Sequence, residues 1–181
     1  MFYFRLLSGV FVAILATAGL TSAQQATPVP DIKPDFSGMT FLLGTWDCKT
    51  VKVSMGRGAG RTETDVNTMT LDGHYLRTDS TSKPFDKART RAIVGQSWVS
   101  YDATKKQWYS FGVGNFGGFV MSMSPGWKGN TIVWTDSYAT DGAPLGVTTT
   151  TKVNPMKITD MSVTKTTKGT ETTSDACIKR K

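Results

Sequence analysis

Short runs of alternating apolar and polar residues cover most of the chain from residue 38 onward. They are rich in Val, Ile, Thr, Trp, Tyr and Phe, and Gly, Pro, Asn or Asp separate them. This alternation predicts β-strands, and helical periodicity is almost absent. We predict about ten strands, over residues 45–53, 62–71, 74–81, 91–102, 107–114, 118–124, 131–138, 146–153, 157–165 and 171–178.

Short turns join nearly all of these predicted strands to their neighbours. Asp-Gly at 72–73, Ala-Thr-Lys-Lys at 103–106 and Asn-Pro-Met at 154–156 each indicate a hairpin. A chain of hairpins without helices favours an all-β fold, a closed antiparallel up-and-down β-barrel of about ten strands. Closure would remove the exposed edges of such a sheet. A Greek-key sandwich is the alternative.

The first residues have the pattern of a secretory signal peptide. Arg5 precedes an apolar run at 6–20 and the small residues Thr-Ser-Ala at 21–23. That run is shorter than the roughly 20 residues a membrane-spanning helix needs. We therefore predict a signal peptide at 1–23, a flexible Pro-containing leader at 24–37 and a barrel domain at 38–181, in a secreted or periplasmic protein.

The two cysteines of the chain fall on the first and the last predicted strands. Cys48 lies on the first strand and Cys177 on the last. An up-and-down barrel closes by pairing these two strands, and an oxidising compartment favours disulfides. We predict a Cys48–Cys177 disulfide across the seam of the barrel, with Trp46 closing one end.

The opening strand and several later segments resemble a known family. Gly-Thr-Trp at 44–46 resembles the Gly-x-Trp signature of lipocalin-like (calycin) barrels. The wider set is similar to the bacterial exported family called domain of unknown function 1579, a relative of the nitrobindin-type barrels. Its members are FLLGTWDC, LDGHYLRTD, GQSWVSYDATKKQWYSFGVGNFGG, GNTIVWTDSY and the terminal CIKRK. The resemblance covers residues 38–181 and implies a lipocalin-like barrel without an agreed activity.

The same resemblance bears on haem. Nitrobindins bind haem through a histidine near the C-terminal end. The corresponding stretch here, ETTSDACIKRK, contains no histidine. The resemblance therefore implies no haem site of that type, and we expect no cofactor.

Charge and histidine content narrow the function classes. Removing residues 1–23 leaves 20 basic and 14 acidic residues, a formal charge of +6, and the basic residues are scattered along the chain. This favours a basic surface over a nucleic-acid interface, and we expect no nucleic-acid partner and no stable membrane insertion after signal cleavage. His74 is the single histidine, so we expect no metal centre.

His74 is also the one candidate catalytic residue, because no other side chain is suited to acid–base work near neutral pH. It follows the Asp-Gly turn, and the chain has no Gly-x-Ser-x-Gly nucleophile motif. The alternative is a histidine at a strand start, facing solvent or hydrogen-bonded in the wall.

Aromatic and Met residues are the candidate ligand contacts. Phe119, Met121 and Met123 share one face of their strand, and Ile132, Trp134 and Tyr138 share one face of the next. Such side chains line apolar pockets well, and they fill ordinary cores equally well. We predict that they face the interior, with ligand contacts from Trp98, Trp108, Phe119, Met121, Met123, Trp134, Tyr138 and Arg77. Any of Arg77, Asp136 and Asp160 that points inward would need a partner or would orient a ligand.

The segment Met-Gly-Arg-Gly-Ala-Gly-Arg at 55–61 connects the first two predicted strands. Its glycines and arginines suit an anion or a lid over the barrel mouth, and an ordinary loop is the alternative. Three functions stay open from the sequence. The first is binding of a small apolar or amphipathic molecule, the second is a hydrolase or isomerase that uses His74, and the third is a structural or interaction protein with a filled barrel.

Overall fold

The computed structural model of the protein describes residues 32–55, 59–84 and 90–181. The predicted signal peptide, most of the predicted leader and residues 56–58 of the Gly-Arg segment lie outside the described residues. Within the described part of the chain, no helix is long and apolar enough to cross a membrane.

Eleven strands and three short 3-10 helices make up the described fold. The helices are η1 (Ser37–Leu42), η2 (Leu71–Gly73) and η3 (Thr140–Gly142). The strands are β1 (Gly44–Val53), β2 (Thr62–Thr70), β3 (Tyr75–Ser82), β4 (Ile93–Asp102), β5 (Gln107–Gly114), β6 (Phe119–Ser124), β7 (Trp127–Lys128), β8 (Thr131–Ala139), β9 (Gly146–Asn154), β10 (Lys157–Thr166) and β11 (Gly169–Lys179).

The strands form a closed antiparallel barrel of ten long strands. Strands that follow one another along the chain pair as antiparallel neighbours, and β6 pairs directly with β8. The two-residue β7 lies within the connection between them and pairs with the start of β8. Pairing of β1 with β11 completes the ring. The predicted up-and-down barrel is therefore confirmed, and the sandwich alternative is wrong.

The seam between β1 and β11 carries the disulfide. Cys48 and Cys177 stand directly opposite each other in the register and are joined by an S–S bond of 2.05 Å. On β1 the alternation holds as predicted, because Trp46, Cys48 and Thr50 are all buried. The predicted Cys48–Cys177 pairing is confirmed.

Helix η1 packs against one end of the barrel. Met39 of η1 and the preceding Phe36 are buried in a cluster with Leu76 and Ile132. The carbonyl oxygen of Leu42 accepts hydrogen bonds from Trp46 Nε1 at 2.7 Å and from Asn67 Nδ2 at 3.0 Å. The packed domain thus begins before residue 38, since Phe36, placed by prediction in the flexible leader, belongs to the core.

The side chains of β6 face the opposite way from our prediction. Ser122 lines the barrel interior and Ser124 is buried, so the residues between and beside them point outward. Phe119, Met121 and Met123 therefore lie on the outer surface. Alternation along a strand identifies two faces, but it does not say which face is inside when the interior itself is polar.

A β-bulge in β8 explains why Tyr138 also lies outside. Met121 pairs with Tyr138 whereas its neighbour Ser122 pairs with Asp136, so Ser137 is an extra residue. An extra residue reverses the side-chain alternation beyond it. Trp134 and Asp136 consequently point inward, and Tyr138 points outward with half of its surface exposed.

Candidate functional site

The barrel encloses a cavity of about 300 Å³. Its lining comes from η1, from β7 and from all the long strands except β1 and β11, which places it in the interior. One part of the lining is apolar and includes Met39, Leu42, Leu76, Trp127, Ile132 and Trp134. The other part is polar and includes Asp65, Asn67, Thr78, Ser122, Thr150 and Asp160. A pocket with one apolar side and a few polar groups suits an amphipathic small molecule.

Small inward residues leave room for this cavity and for the mouth beyond it. Ser110 and Ser122 face each other across β5 and β6 inside the cavity. Further toward the open end, Gly95 and Gly114 form a cross-strand pair, and these glycines line a depression of about 570 Å³ at the rim. A large side chain at these positions would fill the space, so the residue types of β4 to β6 hold the interior open.

The polar part of the lining is hydrogen-bonded between strands. Thr78 Oγ1 donates to Asn67 Oδ1 at 2.6 Å, and Ser80 Oγ donates to Asp65 Oδ1 at 2.6 Å. Thr150 Oγ1 donates in the same way to Asp160 Oδ1. These bonds fix the two carboxylates on the cavity wall, because each acceptor is held by a hydroxyl of a neighbouring strand.

Two carboxylates of the cavity also belong to a smaller acidic pocket. Asp65 and Asp160 line this pocket of about 70 Å³ together with Glu63, Asp175 and Arg61. Thr50 Oγ1 donates to Asp175 Oδ1 at 2.6 Å. The guanidinium Nη2 of Arg61 lies 3.9 Å from Glu63 Oε2. The pocket therefore holds four carboxyl groups beside one guanidinium.

Burial changes the proton affinity of this acidic pocket. Burial raises the pKa of Asp160 from 3.8 to about 6, with smaller contributions in the same direction from Asp175 and Asp65. Burial also raises the pKa of Glu63 from 4.5 to about 7, and the negative charge of Asp65 adds to that rise. The pKa of Asp65 is raised as well, chiefly by burial. Clustered perturbed carboxyls in a cavity are typical of functional sites.

Asp160 was expected to need a partner if it pointed inward, whereas Glu63, Asp65 and Asp175 were not predicted as site residues. A signal for the first two was present. Glu63 and Asp65 stand two apart on a predicted strand, so they share one face with Asn67. The opposite face of this strand carries Thr64 and Val66. Because this face is not clearly more apolar, the sequence does not show which of the two faces points into the barrel.

Of the predicted ligand contacts, two point into the barrel and six do not. Trp134 lines the cavity. Trp108 packs in the core at the end of the barrel that η1 covers, which we call the closed end. There the rings of Phe36 and Trp108 form an edge-type contact with a centroid distance of 5.1 Å. The other six are on the outer face and do not line the cavity: Trp98, Phe119, Met121, Met123, Tyr138 and Arg77. The prediction that the five apolar ones face the interior is therefore wrong, and Arg77, whose direction was left open, points outward.

The outer aromatic residues contact one another instead. Phe111 lies between Trp98 and Phe119, with ring centroids 6.0 Å and 5.3 Å away, and Phe119 stacks on Tyr138 at 5.1 Å. Arg77 Nη2 lies 2.6 Å from Asp79 Oδ1 on the same outer face. These ring contacts cover part of each aromatic side chain, and Asp79 gives Arg77 a counter-charge on the outer face.

His74 lies outside the cavity, at the turn between β2 and β3. Its backbone N–H donates to Leu71 O at 3.0 Å, and its carbonyl oxygen accepts from Ser100 Oγ at 2.8 Å. The residue is half-buried and does not line the cavity. Within residues 32–55, 59–84 and 90–181, no group of three or more His, Cys, Asp or Glu side chains is placed to hold a metal ion.

Comparison with known protein families gives no matching family model. Comparison with curated proteins gives no match either. The functional conclusion therefore depends on the cavity and its residues.

Proposed function

We propose that this barrel binds a small amphipathic molecule in its interior. The observation that carries the proposal is the 300 Å³ cavity with an apolar side formed by η1, Leu76 and Trp134 and a polar side formed by Asp65 and Asp160. Ligand pockets combine a mainly apolar lining with a few fixed polar groups in this manner. Hydrogen bonds between strands hold the polar groups in place before a ligand arrives, which lowers the entropic cost of binding.

The cavity favours binding over the two other functions considered. A structural protein with a filled barrel would have side chains in this space. An enzyme using His74 would need that residue at the cavity, and it lies at the closed-end turn between β2 and β3. Binding needs neither a nucleophile nor a base, so the residues present suffice for it.

We also propose that the protein is exported and belongs with the exported barrels that its sequence resembles. The disulfide supports an oxidising compartment, because such bonds persist outside the reducing cytosol. The signal-peptide pattern at 1–23 and the ten-stranded barrel support the same proposal. Fractionation of cells that produce the full chain, followed by mass determination of the mature N-terminus, tests it. A protein retained uncleaved in the cytosol would overturn it.

Intrinsic tryptophan fluorescence provides the test of binding, because Trp127 and Trp134 line the cavity. We expect phenethyl alcohol, a small amphipathic probe, to change the emission in a saturable way. A matched pair of variants on β9 locates the site. Thr148→Phe fills the cavity from the inward position, whereas Thr149→Phe changes the adjacent position on the other face.

Binding should be lost in Thr148→Phe and kept in Thr149→Phe. Retention of the circular dichroism spectrum and of the disulfide would show that both variants are folded. Equal affinity in the two folded variants would overturn the interior site.

A further inference from the structure

The polar side of the cavity is strongly acidic, although the chain as a whole is basic. Asp65 and Asp160 line the cavity, and they share the smaller acidic pocket with Glu63 and Asp175. The whole chain has 21 basic and 14 acidic residues. The charge of these interior side chains is thus opposite in sign to the net charge of the chain. We take this local excess of carboxyl groups as a property of the cavity rather than of the overall composition.

The carboxylates of this pocket have hydroxyl donors and almost no cation. Ser80, Thr50 and Thr150 each donate one hydrogen bond, to Asp65, Asp175 and Asp160 in that order. In the described ranges 32–55, 59–84 and 90–181, the one ion pair in this pocket is the contact of Arg61 with Glu63. A buried carboxylate without a counter-charge is costly, so a ligand that brings a positive charge would relieve that cost.

A fully buried hydroxyl lies next to Glu63 of this pocket, on the neighbouring strand. Ser82 is directly opposite Glu63 in the β2–β3 register, so both side chains face the interior. Ser82 is 0 % exposed, and its Oγ has no hydrogen-bond partner among the described residues. Buried hydroxyls without a partner are rare in folded proteins. Ser82 Oγ is therefore an unsatisfied polar atom beside Glu63, outside the residues that line the cavity.

The geometry favours an organic cation over a metal ion. Although four carboxyl groups meet in the acidic pocket, no three of the His, Cys, Asp or Glu side chains in the described residues are placed to hold a metal ion. An ammonium group has three hydrogen-bond donors and no acceptor. It can therefore pair with carboxylates that are not arranged in the fixed geometry that a metal ion requires. The apolar side of the cavity would then hold the hydrocarbon part of the same molecule.

We infer that the ligand is an amphipathic amine. Its ammonium group lies at Asp65 and Asp160, and its apolar body lies against Leu76, Ile132 and Trp134. This inference rests on the proposed function, since it assumes binding in the interior cavity and adds the charge of the ligand.

Three probes of similar size and different charge test the inference. Phenethylamine is cationic, phenethyl alcohol is neutral and hydrocinnamate is anionic. Calorimetric titration at about pH 8, where Asp160 is ionised, measures each affinity. We expect phenethylamine to bind at least about tenfold more tightly than the alcohol, and hydrocinnamate to bind most weakly.

Variants with matched chemistry assign this preference to the interior carboxylates. Asp160→Asn keeps the shape of the side chain and the oxygen that accepts the hydrogen bond from Thr150. It should lower the affinity for phenethylamine at least about tenfold and change the affinity for the alcohol less than about twofold. Asp65→Asn is the second variant with the same expected outcome. Asp79→Asn removes a carboxylate from the outer face, so it should change neither affinity.

The outcomes separate the inference from the proposed function. If the alcohol binds in the cavity as tightly as the amine, the amine inference is overturned and interior binding stands. If hydrocinnamate binds most tightly, or if Asp160→Asn and Asp65→Asn weaken amine and alcohol equally, the inference is likewise overturned. If none of the three probes binds, the proposed function is overturned together with the inference.

Discussion

Replacing Asp160 by Asn should stabilise the protein at neutral and alkaline pH. The pKa of this carboxyl rises from 3.8 to about 6 on folding, mainly because burial disfavours the charged form. Asn has no charge to bury, has nearly the same shape and keeps the oxygen that accepts the hydrogen bond of Thr150. The substitution therefore removes a cost of folding rather than a contact.

The size and the sign of the effect follow from proton linkage. Below pH 3.8 the carboxyl is protonated in both the folded and the unfolded chain, so it costs nothing. Between pH 3.8 and about 6 the unfolded chain ionises first, and stability is progressively lost. Above this window the full cost is present, and a shift of about two units is worth up to about 3 kcal/mol.

Urea unfolding followed by tryptophan emission, with the disulfide intact, measures the effect across pH. We expect the free energy of unfolding of Asp160→Asn to exceed that of the wild type by up to about 3 kcal/mol at about pH 8 and to equal it near pH 3. Asp79→Asn is the control. The pKa of Asp79 is lowered by its hydrogen bond to Arg77, so its stabilisation is lost as pH falls. This exposed pair should be worth less than about 1 kcal/mol.

Two results would refute this account of Asp160. One is an Asn variant no more stable than the wild type at about pH 8. The other is a gain of equal size at every pH, because a change in packing would produce it and a change in ionisation would not.

Four further changes test other parts of the molecule. Replacing Cys48 and Cys177 together by Ser should lower the free energy of unfolding by about 2–5 kcal/mol in urea titrations, and an unchanged midpoint would contradict a stabilising seam. Leu76→Ala should cost about 2–5 kcal/mol and enlarge the cavity, which thermal unfolding and a larger bound probe would reveal. Gly146→Ala should lower the thermal midpoint, because the added Cβ would lie 2.7 Å from Thr164 Oγ1 and 3.0 Å from Val163 O. His74→Ala should leave the affinity for the probes unchanged in calorimetry. A large loss of affinity would show that this histidine takes part in binding.

The sequence was sufficient to predict strand order and the seam. Turn residues between alternating runs predict hairpins, and a closed chain of hairpins must pair its first strand with its last. Cys48 and Cys177 then fall on paired strands, and the register places them opposite each other. These predictions succeed because local turn chemistry and closure determine them without knowledge of the side-chain environment.

The face that each strand presents to the interior was harder to predict. Phe119 and Met121 are more apolar than Ser122, yet Ser122 faces the cavity. The usual rule that apolar residues face inward fails here, because the interior keeps polar groups and open volume. The extra residue at Ser137 reverses the alternation, and β8 contains no Gly or Pro that would mark this bulge.

The acidic interior is where folding and binding make opposite demands. Asp160 lowers stability when it is ionised, and a filled apolar barrel would avoid that loss. Proteins commonly keep destabilising groups where a ligand requires them, so the same substitution should improve folding and impair binding. A variant Asp160→Asn that is more stable and binds phenethylamine less tightly would show this opposition in a single residue. If it is more stable and binds the amine equally well, the carboxylate is not retained for the ligand, and the charge of the cavity needs another explanation.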